Sequence, residues 1–180
     1  PRNKNAYGQI VRWREAGSDA AAETFEWDVF VLAGNPNVHD DIYAGTDNID
    51  KRNTFNSPDG LAVDPRGLLW IQTDGSYSNS GDYEGQGNNS MLVADPESKV
   101  IRRFMVGPKG CEVTGITWTP DMKYIFINIQ HPGEGQSVSE AQANPTAVST
   151  WPEGPAAQRP RPATVVIWRE DGGVVGTFPA

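Results

Sequence analysis

In 180 residues the chain has one cysteine, Cys111, and two histidines, His39 and His131. A lone cysteine excludes an internal disulfide and says nothing decisive about redox compartment. With so few imidazoles and no nucleophile elbow, there is no place for a catalytic triad. The stretch Gly107-Pro108-Lys109-Gly110 is glycine-rich but opens no helix, so it is not a phosphate loop. No apolar run approaches the roughly 18 residues that would signal a membrane span. Basic residues are few as well. Lys and Arg number 15 against 23 Asp and Glu, a formal charge of −8 with a pI near 4.7. Nucleic-acid binding needs clustered Lys and Arg, and that partner class is excluded. The acidic balance suits an exported protein or one that collects cations. The sequence opens on Pro1 with no apolar targeting segment, so the expectation is a lost leader or a portion of a longer protein.

What the chain does have is turns and short strands. Nineteen Gly and fourteen Pro make turns many and long helices few. Aromatic and β-branched runs predict strands over 7–14 and 25–32, then 60–64, 68–73, 90–95 and 99–106. A last group covers 115–119, 124–130, 163–169 and 174–178, its final pair joined across Asp171-Gly172-Gly173, a strong hairpin signal. Two stretches are not strand-like. Residues 74–89 are rich in Gly, Ser, Asn and acids, and residues 131–162 are rich in Pro and Gly, with a helical turn expected at 137–143. Loops of that length in a compact domain are usually functional or disordered.

The chain also states one pattern twice. Pro58-Asp59-Gly60-Leu61-Ala62-Val63, a Pro-containing turn and Leu68-Leu69-Trp70-Ile71 are echoed about 55 residues on by Glu112-Val113-Thr114-Gly115-Ile116, a second Pro turn and Tyr124-Ile125-Phe126-Ile127, the mark of a repeated supersecondary unit. The strands group as two, four and four. Four antiparallel strands per unit is the pattern of a propeller blade; a β-sandwich also uses many short strands but has no reason to restate a strand pair with its flanking turns. The expected fold is all-β: two to three four-stranded antiparallel blades, with residues 1–34 the last strands of one, 56–106 the second and 111–180 the third. A propeller closes with at least four blades, and this chain supplies about two and a half.

In such blades the entrance to the first strand and the loop after the second lie on one rim. Asp59, Glu112, Asp74 with its acidic loop, and the loop opening at His131 are therefore expected to crowd together. Asp59 and Glu112 are the leading candidates for holding a hard cation, which takes several oxygen ligands. Pro-Asp-Gly is equally a common turn tripeptide. His131 suits a metal ligand or general acid/base, or a structural hydrogen-bonder at a strand end. His39 reads as a solvated loop residue. Cys111 neighbours Glu112 in a strand, so the two side chains point oppositely and Cys111 reads as a small buried apolar group. The six Trp read as packing between blades rather than a sugar platform.

The string Gly107-Pro108-Lys109-Gly110-Cys111-Glu112-Val113-Thr114-Gly115, followed by Asn128-Ile129-Gln130-His131-Pro132-Gly133-Glu134, resembles a signature of the PhoX-type alkaline phosphatase family. Gln9-Ile10-Val11-Arg12-Trp13, Ser57-Pro58-Asp59-Gly60-Leu61 and Arg161-Pro162-Ala163-Thr164 resemble other segments of the same family. The resemblance implies a six-bladed propeller, twin-arginine export to the periplasm, and phosphomonoester hydrolysis at a calcium and iron cluster on the axis. It implies that this chain is the C-terminal part and that N-terminal blades of the same protein complete the cluster. It carries over Glu112 and Asp59 as metal ligands, with His131, Cys111 and Asp74 as substrate-contacting or supporting residues. Two other readings stand beside it: a calcium-bound propeller module without turnover, and a lactonase-type propeller with one cation.

Overall fold

The computed structural model describes residues 2–177 and is all-β, with antiparallel strands in three sheets. The first sheet pairs β1 (Gln9–Glu15) with β2 (Phe25–Leu32), and Trp13 lies opposite Trp27. The second runs in the order β3 (Pro58–Val63), β4 (Leu69–Thr73), β5 (Ser90–Ala94), β6 (Ile101–Val106). The third is β7 (Glu112–Trp118), β8 (Tyr124–Gln130), β9 (Ala163–Trp168). Each sheet follows chain order: short turns join β3 to β4, β5 to β6 and β7 to β8, while the long loops 74–89 and 131–162 join β4 to β5 and β8 to β9. No helix among the described residues is long and apolar enough to cross a membrane.

Burial explains why some strands alternate and others do not. In β4 and β5 nearly every residue is buried, because the second sheet is covered on both faces. Ile71 and Leu92 pack toward the first sheet with Tyr7, Phe30 and Val31. Trp70, Met91 and Val93 pack toward the third with Val113, Ile125, Ile127 and Ile129. The third sheet has one covered face, so β8 reads apolar-in at Ile125, Ile127 and Ile129, and open at Tyr124 and Asn128.

The repeat is visible in register. β3 bulges at Asp59-Gly60 opposite Gln72, and β7 bulges at Gly115 opposite Asn128. A Cβ at either glycine would come within 2.8 Å of the facing amide side chain. Gly60 therefore matches Gly115, and the strands correspond as the sequence indicates. The carboxylates do not. Glu112 matches Ser57, while Asp59 falls at the position of Thr114 and is exposed.

Two further expectations are corrected. Residues 174–177 form no strand: the Val175 N–H donates to the Met122 carbonyl at 3.0 Å, and the Val175 carbonyl accepts from Arg66 Nη2 at 3.0 Å. Val175 is 2% exposed in the core between the second and third sheets, where it gains more burial than an added edge strand would give it. Phe178, the last residue of that expected strand, lies outside the described residues. His39 is not a solvated loop residue, since its ring sits against Tyr7 and Tyr43 with Nε2 3.3 Å from Asp82. Among the tryptophans, Trp70 is fully buried between sheets, whereas Trp13, Trp27 and Trp168 are exposed on the outer two.

Candidate metal centre

Three side chains from separate stretches meet where the second sheet adjoins the third. Asp74 follows the last residue of β4, Glu112 opens β7, and His131 follows the last residue of β8. One ligand atom from each, two carboxylate oxygens and an imidazole nitrogen, lie within 4.8 Å of one another. Asp74 is exposed, His131 half-buried and Glu112 buried. Of the expected site residues the structure brings these three together, with Cys111 adjoining. Asp59 stands outside the group.

The local chain explains the convergence. Asn89 is buried and ties the end of β4 to the start of β7 with one amide. Its Oδ1 accepts from Thr73 Oγ1 (2.9 Å) and the Gly75 N–H (2.8 Å), and its Nδ2 donates to the carbonyls of Gly75 (3.1 Å) and Cys111 (2.8 Å). Asp74 is thereby held beside Glu112, and its own N–H donates to the Ser57 carbonyl at 3.1 Å. On the other side the loop 107–111 pairs with the turn 131–134. The N–H groups of Gly133 and Glu134 donate to the carbonyls of Lys109 and Gly110, both at 3.0 Å. Gly110 is needed there: its φ is +67°, and a Cβ would stand 2.8 Å from the Glu134 carbonyl oxygen. His131 itself has a φ of +36°, a strained value for a non-glycine residue, of the kind that persists where surrounding bonds over-determine the backbone.

Glu112 is fixed by its cross-strand neighbour. Gln130 Nε2 donates to Glu112 Oε2 at 2.6 Å, and His131 Nε2 is 3.5 Å from the same oxygen. The other imidazole nitrogen, Nδ1, lies 3.4 Å from Glu134 Oε2 and is buried without a hydrogen-bond partner. Cys111 is 1% exposed, and burial, assisted by the negative charge of Glu112 and Asp74, pushes its thiol up to about 12. Its sulfur sits against Gly107, so close that a Cβ there would approach it to 2.5 Å. Cys111 is a packing residue in this geometry. Two carboxylates and an imidazole converging at one point, with no Lys or Arg among the described residues ion-paired to them, form a donor set for a cation.

Residue-by-residue reading missed Asn89, Gln130, Glu134 and Tyr77. Tyr77 links the two long loops, its hydroxyl donating to the Glu134 carbonyl at 2.7 Å. Gln130 and Glu134 flank His131 within the motif string. Nothing local marks Asn89 or Tyr77, whose partners lie far along the chain.

A family model described as alkaline phosphatase PhoX matches residues 1–133. Among solved structures the chain is similar to that titled "Pseudomonas fluorescens PhoX in complex with vanadate, a transition state analogue". The two share 54% identity with a TM-score of 0.88, over 97% of this chain and 28% of that one. Among curated proteins no sequence matches. The three sheets are blades of a β-propeller, and the chain spans part of the length of its relative. With the motif strings, the family model and the fold in agreement, the chain belongs to the PhoX alkaline phosphatase family.

Proposed function

We propose that this chain contributes Asp74, Glu112 and His131 to a metal centre that hydrolyses phosphomonoesters in the intact, exported protein. The observation that carries this is the convergence of the three side chains within 4.8 Å, in a chain 54% identical to a protein crystallised with vanadate. Donor chemistry fits the expected metals. The carboxylates suit calcium, which takes six to eight oxygens, and iron accepts both carboxylate and imidazole. His131 Nε2 stands 3.5 Å from Glu112 Oε2, a separation that a cation shared between the two side chains would fill. Calcium and iron are proposed on that basis, with further ligands from blades that this chain does not include. Asp59, on the neighbouring blade, is proposed as an outer carboxylate of the same rim.

When bound, such cations would hold phosphate oxygens and offset the charge that develops in the transition state. The chain's own residues do the positioning. Gln130 orients the Glu112 carboxylate, Asn89 holds Asp74 against it, and buried Cys111 and Val113 exclude water from behind the site. His131 Nε2 faces the Glu112 carboxylate at 3.5 Å, so the imidazole can share a cation with that side chain. A lactonase-type site would need one cation and few acids, and family membership favours the phosphatase.

The test uses the intact protein with p-nitrophenyl phosphate. Hydrolysis should be lost in chelator, return with Ca²⁺ and Fe³⁺, and be inhibited by vanadate. Glu112→Gln and Asp74→Asn should each lower kcat/KM by about 100-fold, the scale of removing one preorganised charge. The 180-residue polypeptide alone should not turn over. Chelator-resistant hydrolysis, or unchanged kinetics in both variants, would overturn the proposal.

A further inference from the structure

A cleft of about 510 Å³ adjoins the cluster at His131. His131 is part of both. The cleft runs from the turn 131–136 to α1 (Val138–Ala143) and to residues 159–162. A larger cleft of about 1020 Å³, between the loop 46–53 and β6, contains none of the cluster residues.

We propose that this cleft is the subsite for the leaving alcohol of the phosphomonoester, and that it takes an apolar, ring-sized group. The inference rests on the phosphate being held at Asp74, Glu112 and His131. An ester held there by its phosphate would have the cleft within reach of its alcohol group, because His131 belongs both to the cluster and to the cleft lining. The volume lies within the roughly 300–1,000 Å³ of small-molecule sites, enough for an aryl or nucleoside-sized group and wasteful for a methyl or glyceryl one.

The lining decides the chemistry. Val138 and Ala141 stand three residues apart on α1 and so share a face. Both line the cleft, and Val138 is 78% exposed. Pro132, Pro145 and Pro160 supply rigid apolar walls. Arg159 brings a planar cation that packs well over an aromatic face.

The cleft is also preformed, so a ligand entering it orders little chain. A Cβ at Gly133 would lie 2.7 Å from the Pro160 ring, so the turn and residues 159–162 close on each other. The Tyr77 hydroxyl latches the Glu134 carbonyl, and the start of α1 is fixed by a reciprocal cap between Ser137 and Glu140. Gln136 Nε2 donates to the Asn144 carbonyl at 3.2 Å and fixes the other end of the helix to the turn.

The test is calorimetric binding of two non-hydrolysable probes, phenylphosphonate and methylphosphonate, to the intact metal-loaded protein. Phenylphosphonate should bind about tenfold more tightly, the scale of filling an apolar pocket. Val138→Asp places a carboxylate at an exposed first helical position, where an acid is well tolerated, and should abolish that preference with methylphosphonate affinity unchanged. Ala141→Phe, which fills the cleft from the same face, should do the same. Equal affinity of the wild type for both probes, or a preference that survives both variants, would overturn the alcohol subsite alone. Failure of the wild type to bind either probe would instead overturn the phosphate site on which it rests.

Discussion

Glu112 carries a charge that the protein by itself does little to stabilise. Its side chain is 10% exposed, Gln130 gives it one hydrogen bond, His131 Nε2 stands 3.5 Å off, and the nearby carboxylate of Asp74 has the same sign. Removing a buried charge that lacks a full partner is often neutral or stabilising, whereas removing a metal ligand is not. Glu112→Gln should therefore melt a few degrees above wild type in chelator, for about 1 kcal/mol of relief, and below wild type in millimolar Ca²⁺. Calorimetric melts in the two buffers check this, and an unchanged order would remove Glu112 from the cation site. A second residue sets a pH limit. Burial, with the charge of Asp82 and the nearby Tyr83, pushes the Tyr7 phenol up to about 12, against a downward pull from Arg2. In the unfolded chain it ionises near 10, so its contribution to stability is complete below pH 10 and is lost between 10 and about 12. Melting temperature against pH should fall across that window, and Tyr7→Phe should flatten the fall. Residue identities were only partly legible in the sequence. Glu112, His131 and Asp74 were marked by their motif or by the loop expected to reach the rim. The strands starting at Gly60 and Gly115 do correspond, but Asp59 lies one residue before its bulge glycine and Glu112 three before its own, so the two acids do not occupy equivalent places.

At the scale of elements, the site depends on two loops meeting with no strand between them. The segment 107–111 and the turn 131–134 share backbone hydrogen bonds, and Gly110 allows their contact. Gly110→Ala should cost about 1–3 kcal/mol from its positive φ together with the clash at the Glu134 carbonyl. The same change should move His131 away from Glu112 and weaken terbium binding, read by luminescence, by about tenfold or more. Alanine at Gly67, whose φ is +89° with open space around it, should cost stability without affecting terbium. If both variants bind terbium as wild type does, the loop contact does not build the site. Elements with strong local patterns were legible nearly to the residue: β2 and β8 kept their expected limits, and the helical turn expected at 137–143 forms as α1, capped by Ser137 and Glu140. Residues 174–177 were not, because the Gly172-Gly173 signal is local while the fate of Val175 is tertiary. The turn forms, with the Gly172 N–H on the Arg169 carbonyl, but the chain then leaves the sheet for the core beside Trp70.

At the scale of the whole molecule, the second sheet is covered on both faces while the outer sheets are covered on one. Trp13 and Trp27 face each other across β1 and β2 at 61% and 64% exposure, with Phe25 on the same face at 59%. On the third sheet the Tyr124–Trp168 pair is exposed at 44% and 60%, beside Val166. Aromatic residues paired across strands and open to solvent are the composition of an interface and not of a finished surface. In a propeller such faces meet the next blade, and the chain spans 28% of the length of its structural relative. The purified 180-residue polypeptide should accordingly self-associate through these faces. Sedimentation at micromolar concentrations should give a mass above the monomer that rises with concentration. The double variant Trp13→Ser, Trp27→Ser should shift it back toward the monomer, and adding Trp168→Ser should complete the shift. Substituting exposed residues leaves both cores intact, so these variants should keep the melting temperature of the parent chain within about 2 °C. Extending the polypeptide to include flanking blades should have the same effect as the substitutions, since the native neighbour would occupy the surface that a second copy otherwise takes. A parent chain that sediments as a monomer at every concentration would mean that these aromatic faces are tolerated in water without a blade to cover them.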